Sequence, residues 1–278
     1  MGNDDSSFNV SMEGTPVAFR FGSQGGLDHI ANLVQQHGLA SYEAPFPGLF
    51  VALCREGSGT VLDVGANTGL FTLLAAVANP SVQVCAFEPL ESVRSLLQAN
   101  ILRNPELAAR IAIQPFGLSS TNGSFTFYET INSYGLLSTS SSLELKHVQE
   151  IGQEYREQTI ETLTLDGWGQ RLGPTPVHFM KVDVEGHEHA VIAGGRTFLA
   201  QHRPYLTLEV LGSAETGVVD NFLRETEYLD FAMAPDILRQ CAMIRHHSDA
   251  WNHLMCPAER VGRLLQICRR LNLQVELA

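Results

Sequence analysis

The hydrophobic pattern of the chain changes character near Thr60. Before it, residues 1–26 are polar and glycine-rich, with one short strand predicted at Val17–Phe21. Leu27, Ile30, Ala31 and Val34 then recur at helical spacing, and Gly38 offers a stop. Pro45, Pro47 and Gly48 break the chain before a second apolar helical stretch, Leu49–Cys54. After Thr60, continuous apolar runs alternate with helical stretches. TVLDVG, VQVCAFEP, RIAIQPFGLS, VHFMKVDVEG and YLTLEVLG read as five strands. GLFTLLAAVA and the set Val93, Leu96, Leu97 and Ile101 read as helices between the first three. Strands that are apolar throughout are covered on both faces, and strand–helix–strand spacing makes their sheet parallel.

The expectation is an α/β protein with a doubly wound, mostly parallel, Rossmann-like sheet. Residues 1–48 form an N-terminal cap and residues 49–278 the main domain. A polar, serine-rich insert, about residues 119–170, separates strands three and four. Within it STSSSL reads as loop and ELKHVQEIGQEYREQT as an exposed helix. Inserts at the strand ends of such sheets form lids or substrate loops.

Composition narrows the partners. With 44% hydrophobic and 17% charged residues, the 278-residue chain can build a core, which excludes wholesale disorder. A net charge of −12 repels a phosphate backbone, so no nucleic acid is expected. No run approaches the ~18–20 apolar residues of a bilayer span, so no membrane is expected either. The start, MGNDDSSF, lacks the basic and apolar segments of a secretion signal, which predicts a cytoplasmic location. Met1-Gly2 with Ser6 matches the minimal myristoylation pattern, but Asp4, Asp5 and the lack of a basic cluster oppose anchoring. The five scattered cysteines (Cys54, Cys85, Cys241, Cys256, Cys268) form no C-x-x-C pair and read as reduced, mostly buried thiols. Homo-oligomerisation is left open.

Candidate chemistry gathers at the strand ends. The first turn reads Asp63-Val64-Gly65-Ala66-Asn67-Thr68-Gly69. Gly65 permits close backbone approach to a ligand, and Gly69 a tight helix start. A dinucleotide turn wants G-x-G-x-x-G, yet here Asn67 replaces the middle glycine and the last glycine comes one residue early. Asp63 would repel a pyrophosphate but suit an ammonium, so the turn points to S-adenosylmethionine. Glu88, followed by Pro89, ends the second strand about twenty residues past the loop, where a ribose-binding acid is expected. Lys181, Asp183 and Glu185 end the fourth strand and Glu209 the fifth. Charges are costly in a central strand unless they face the crevice at its C-terminal end, so these four mark a polar site. His187 and His189 stand at i, i+2, on different sides of a helix, unlike H-E-x-x-H. No metal is therefore expected, and Asp183 and Glu209 would be better placed for one than these histidines. His246-His247 lies in a late, lid-like segment.

With these motifs in hand, the chain resembles the FkbM-type branch of class I S-adenosylmethionine-dependent methyltransferases from about Tyr42 onward. The resemblance rests on VLDVGANTGLFTLLAA, FEP, ETLTLD, FMKVDVEGHEHAVIAGG, RPYLTLEV and the late NHLMCP. It implies a seven-stranded sheet with a reversed terminal hairpin, and O-methylation of small molecules or sugars. It also implies that Asp63, Gly65, Ala66, Asn67 and Gly69 surround the methionine part of the donor, that Glu88 and Pro89 meet the ribose, and that Lys181, Asp183 and Glu185 line the reaction crevice. Asp183 is the leading orienting or basic group, with Glu209 and His187 next. N- or carboxyl-methylation, a nicotinamide-dependent oxidoreductase and a catalytically silent binding protein are the rival readings. The insert from Tyr128 to Tyr155 and the first forty residues are the least family-like.

Overall fold

The computed structural model describes residues 7–12, 15–131, 137, 139–173 and 175–278. The acylation pattern at Met1, Gly2 and Ser6 lies outside the described residues. In chain order the strands are β1 (Ser7–Met12), β2 (Thr15–Gly22), β3 (Gly59–Val64), β4 (Val82–Phe87), β5 (Ile111–Gln114), β6 (Gly117–Leu118) and β7 (Gly123–Ile131). They continue as β8 (Glu154–Leu163), β9 (Val177–Val182), β10 (Tyr205–Glu209), β11 (Tyr228–Ala234), β12 (Ile237–Cys241), β13 (Asn252–Pro257) and β14 (Gln274–Glu276).

The central sheet runs β14-β12-β11-β13-β10-β9-β3-β4-β5. From β10 to β5 all neighbours are parallel, and β13 lies antiparallel between β10 and β11. Seven of these strands match the expected arrangement with its reversed strand, but among the described residues the sheet has nine. The two additions cover an edge. β12 folds back on β11 with its fully buried Leu238, and β14 then pairs parallel to β12. An open β11, reading LDFAMA, would be an apolar edge prone to mispairing.

Each strand is apolar on both faces because each face has its own core. Val61, Phe179, Tyr205 and Phe231 pack on one side with the helices Phe46–Cys54, Leu70–Ala78 and Val261–Arg270. Leu62, Val64, Met180, Val182 and Leu208 pack on the other with Glu188–Ala193, Arg196–His202 and Gly217–Thr226. The period of two carries a consequence for chemistry. Continuing the first face toward the C-terminal ends places Asp63 beside Lys181, directly paired across β3 and β9.

The insert differs from its expected form. Of ELKHVQEIGQEYREQT, Leu145–Glu150 is helical, and its His147 and Val148 are buried rather than exposed. EYREQT belongs to β8, which pairs antiparallel with β7 along their full lengths in a second sheet, β6-β8-β7. The period-two pairs explain the strand: Tyr128 meets Tyr155 edge-on at 5.5 Å, and Arg156 Nε donates to Glu129 Oε2 at 2.6 Å. At the insert's end, Leu165 and Trp168 of a short helix join the second core.

β1 and β2 form a hairpin, longer than the single strand expected, and Phe19 and Phe21 enter the first core. The predicted helix forms at His29–His37, ended by Gly38 at φ 80°. The second helix, Phe46–Cys54, runs across the expected domain boundary. All five cysteines are free, and four are buried. Among the described residues no helix is long and apolar enough to cross a membrane.

Candidate active site

The turn after β3 is shaped by contacts that leave no room for side chains. A Cβ on Gly65, at φ 80°, would lie 1.8 Å from the Asp183 carbonyl oxygen. A Cβ on Gly69, at φ 97°, would lie 2.4 Å from Leu97 Cδ1. Asn67 takes φ 49° between them. Its amide donates to Glu88 Oε2 at 3.1 Å, and the Leu90 amide to Glu88 Oε1 at 3.0 Å. These bonds hold the Glu88 carboxyl at the end of β4. Burial pushes its pKa up to about 7, against the lowering effect of the two amides.

Two cavities open along the C-terminal ends of the strands. The smaller is lined by Gly65, Asn67, Glu88 and Pro89, with Val93 and Leu118 among its apolar walls. The larger, about 860 Å³, is lined by Asp63, Ala66, Phe71, Lys181 and Glu209, with the N-terminal Ile30 and Glu43 at its rim. They share Gly65, Asn67, Thr139, Asp183 and Glu185. Of the cofactor and catalytic candidates read from the sequence, all but Gly69 line one cavity or the other, His187 on the smaller side, whereas His189 lines neither. Gly69 instead starts the helix against Leu97. His246 is surface-exposed, bonded to the Val210 carbonyl, and lines neither cavity.

Lys181 is the electrostatic centre of this crevice. Its Nζ lies 2.8 Å from Asp183 Oδ2, 4.0 Å from Asp63 Oδ1 and 5.1 Å from the centre of the Phe71 ring. Burial opposes its charge, but Asp183 and Asp63 outweigh it and raise its pKa. Asp63 is 1% exposed and accepts from Thr72 Oγ1 at 2.6 Å. It is thus committed to Thr72 and Lys181. Around them the site is acidic: oxygens of Asp183, Glu185 and Glu209 lie within 4.8 Å of one another. Burial, then the Asp183 and Glu185 charges, push Glu209 well above the usual carboxylate range.

The turn after β9 was only partly legible. Glu185 holds φ 55°, a left-handed conformation that costs a non-glycine residue about 1 kcal/mol. The insert stabilises it: Ser142 Oγ donates to the Glu185 carbonyl at 2.6 Å, and His147 Nε2 lies 3.5 Å from Glu185 Oε2. Glu188 is buried and accepts from the Val184 amide at 2.9 Å, so it shapes the turn from beneath. The two histidines do not point apart as expected. His187 precedes the helix Glu188–Ala193 as its cap, and its ring stands edge-on to His189 at 5.5 Å. Its ring also joins Ser119 Oγ at 2.9 Å and Glu144 Oε1 at 2.6 Å. Ser142, Glu144, His147 and Glu43 escaped the sequence reading because no local pattern ties them to strands that lie far along the chain.

The site fits S-adenosylmethionine. A carboxyl for ribose hydroxyls, apolar walls for a flat base and a side-chain-free glycine stand in line along the smaller cavity. A family model described as the methyltransferase FkbM domain matches residues 63–239. The chain is 28% identical over 166 residues to Methyltransferase 1 of Beauveria bassiana, covering 54% of this chain and 60% of that protein. It is 24% identical over 159 residues to the 2-O-methyltransferase NoeI of Sinorhizobium fredii, covering 55% and 64%. It is 29% identical over 155 residues to the 31-O-demethyl-FK506 methyltransferase FkbM of Streptomyces tacrolimicus, covering 48% and 58%. The matches thus span less than two thirds of the length of these relatives.

Proposed function

The chain belongs to the FkbM methyltransferase family and uses S-adenosylmethionine, and from that premise we propose that it methylates a hydroxyl oxygen of a small molecule, a natural product or a sugar. The observation that carries this reading is the meeting of the two cavities at Gly65, Asn67, Asp183 and Glu185. A donor seated along the smaller cavity would present its reactive end to an acceptor in the larger one, next to a carboxylate. The names of the Sinorhizobium and Streptomyces relatives, both printed as O-methyltransfer, support the same choice.

The bound donor supplies a methyl group already activated by its sulfonium. The protein's residues then have three tasks. Glu88 accepts the ribose hydroxyls, and Gly65 admits the donor close to the backbone. The walls of the larger cavity hold the acceptor oxygen in line, a positioning effect worth ~7–11 kcal/mol. Asp183 takes the hydroxyl proton, its carboxylate oriented by Lys181, while Asp63 acts through Lys181 rather than touching the acceptor. Glu209 and His187 stand next in line as bases.

Incubation with isotopically labelled donor and candidate hydroxylated metabolites, followed by mass spectrometry, is expected to show a gain of one labelled methyl on oxygen. Label on nitrogen would overturn the O-methyl assignment in favour of an amine acceptor. That second reading has its own support, because Glu43, Asp183, Glu185 and Glu209 outnumber the single lysine in the larger cavity and suit a cationic acceptor. The same acidity disfavours carboxyl methylation.

Donor affinity should depend on pH through Glu88. The ionised carboxyl accepts both ribose hydroxyls, and burial holds its pKa at about 7. Protonation removes acceptor capacity, so the donor dissociation constant should rise as pH falls below about 7, approaching tenfold per unit. Calorimetry across that range checks this, and a flat profile would detach Glu88 from donor binding.

A further inference from the structure

We propose that Glu144, His187, His189 and Glu215 form a binding site for one divalent transition-metal ion of the zinc class, beside the acidic crevice, with His187 at the wall it shares with the smaller cavity. Ligand atoms of Glu144, His187 and His189 already lie within 4.8 Å of one another. Tetrahedral zinc, with bonds of about 2.0–2.1 Å, holds its ligands about 3.4 Å apart, so closure needs only small side-chain shifts. The carboxylate of Glu215 stands 3.8 Å from His189 Nε2 and is 77% exposed, free to swing in as the fourth ligand.

Two further observations point to an ion. A cavity of about 20 Å³, room for a single water-sized occupant, is lined by Glu144, His189 and Glu215, with His147 beside them. Lys146 also borders it, but its ammonium is directed 3.9 Å from Glu150. Two carboxylates and two neutral imidazoles carry a charge of −2, which a dication cancels. Two imidazole nitrogens select zinc-like ions over magnesium or calcium, which prefer oxygen.

His187 explains how the ion enters. Its Nδ1 and Glu144 Oε1 lie 2.6 Å apart in a hydrogen bond. An ion on Nδ1 would take the place of that hydrogen bond, with the one proton of the neutral ring on Nε2. The other ring nitrogen then donates to Ser119 Oγ at 2.9 Å, the outer-shell bond that metal-bound histidines characteristically make. Glu144 belongs to the insert and the histidines to the turn after β9. The ion would therefore clamp the insert onto the turn that carries Asp183 and Glu185.

The full chain, stripped with a chelator, is titrated with Zn²⁺ by calorimetry, its metal content measured, and Co²⁺ substituted for its absorption spectrum. The expected result is one equivalent of zinc and the intense visible bands of tetrahedral Co²⁺. His189→Ala and Glu144→Gln should each weaken binding at least ~100-fold, while His246→Ala, on the surface, changes nothing. Glu215→Gln, at an exposed position that folding tolerates, should weaken it about tenfold and decides the matter if the other variants misfold. Absence of stoichiometric zinc, or binding that survives these substitutions as an adventitious surface ion would, overturns the proposal. The readout is metal rather than methyl transfer, so it stands or falls apart from the acceptor assignment.

Discussion

Lys181→Met is expected to destabilise the fold by about 3–5 kcal/mol, the usual consequence of removing one partner from a buried ion pair. Lys181 is 4% exposed, and the Asp63 carboxylate it faces is 1% exposed. Without the ammonium, Asp63 keeps only the Thr72 hydroxyl among these contacts and must either bury an uncompensated charge or take up a proton. The methionine fills the space of the stem but replaces neither the charge nor the contact with the Phe71 ring. Adding Asp63→Asn to the same chain should recover much of the loss, because neither charge is then stranded. Urea unfolding of the four proteins gives the coupling between the two residues directly. Wild-type stability of the Lys181→Met protein would remove the structural role of the pair, and any loss of turnover would then belong to catalysis.

Asp183→Asn should have the opposite signature. Asp183 is the carboxylate at the junction of the two cavities, with a side chain 28% exposed, and its replacement leaves the buried Lys181 ammonium with Asp63 as counter-charge. The amide keeps the shape and can still accept from Lys181 Nζ. It cannot take a proton from an acceptor hydroxyl. Turnover should fall by ~10²- to 10⁴-fold, the range a positioned base supplies. The dissociation constant of the donor should stay nearly unchanged, since Glu88 and the Gly65 turn are untouched. Single-turnover kinetics beside a binding titration separates the two quantities. Intact turnover would move the base to Glu209 or His187.

Much of the architecture could be read before any coordinates. Runs such as TVLDVG and YLTLEV are apolar on both faces because both faces of the sheet are covered, and five parallel strands follow. Gly65 stood out as a position for close backbone approach to a ligand, and the neighbour that leaves it no room for a side chain is the Asp183 carbonyl. Glu88 was marked by its place at a strand end, and it does face the smaller cavity. By contrast, the nine-strand extent of the sheet was hidden, because β12 and β14 are short and partly polar and make sense only as a cover for the β11 edge. The strand EYREQT was read as helix because its partner β7, whose pairing defines its period, lies across an intervening loop and helix.

What the amino-acid order determined alone is everything that depends on neighbours within a turn or two: strand period, helix stops, the glycine bend and the acids that end each strand. Those preferences are local, set by sterics and by which face of an element can be buried. Only the tertiary structure decided which of those side chains meet. The pairing of β3 with β9 sets Asp63 against Lys181, and the folding of the insert over the β9 turn brings Glu144 to His187. Such contacts follow from strand register and loop closure over many tens of residues, a balance of burial against chain entropy that leaves no periodic trace in the chain itself.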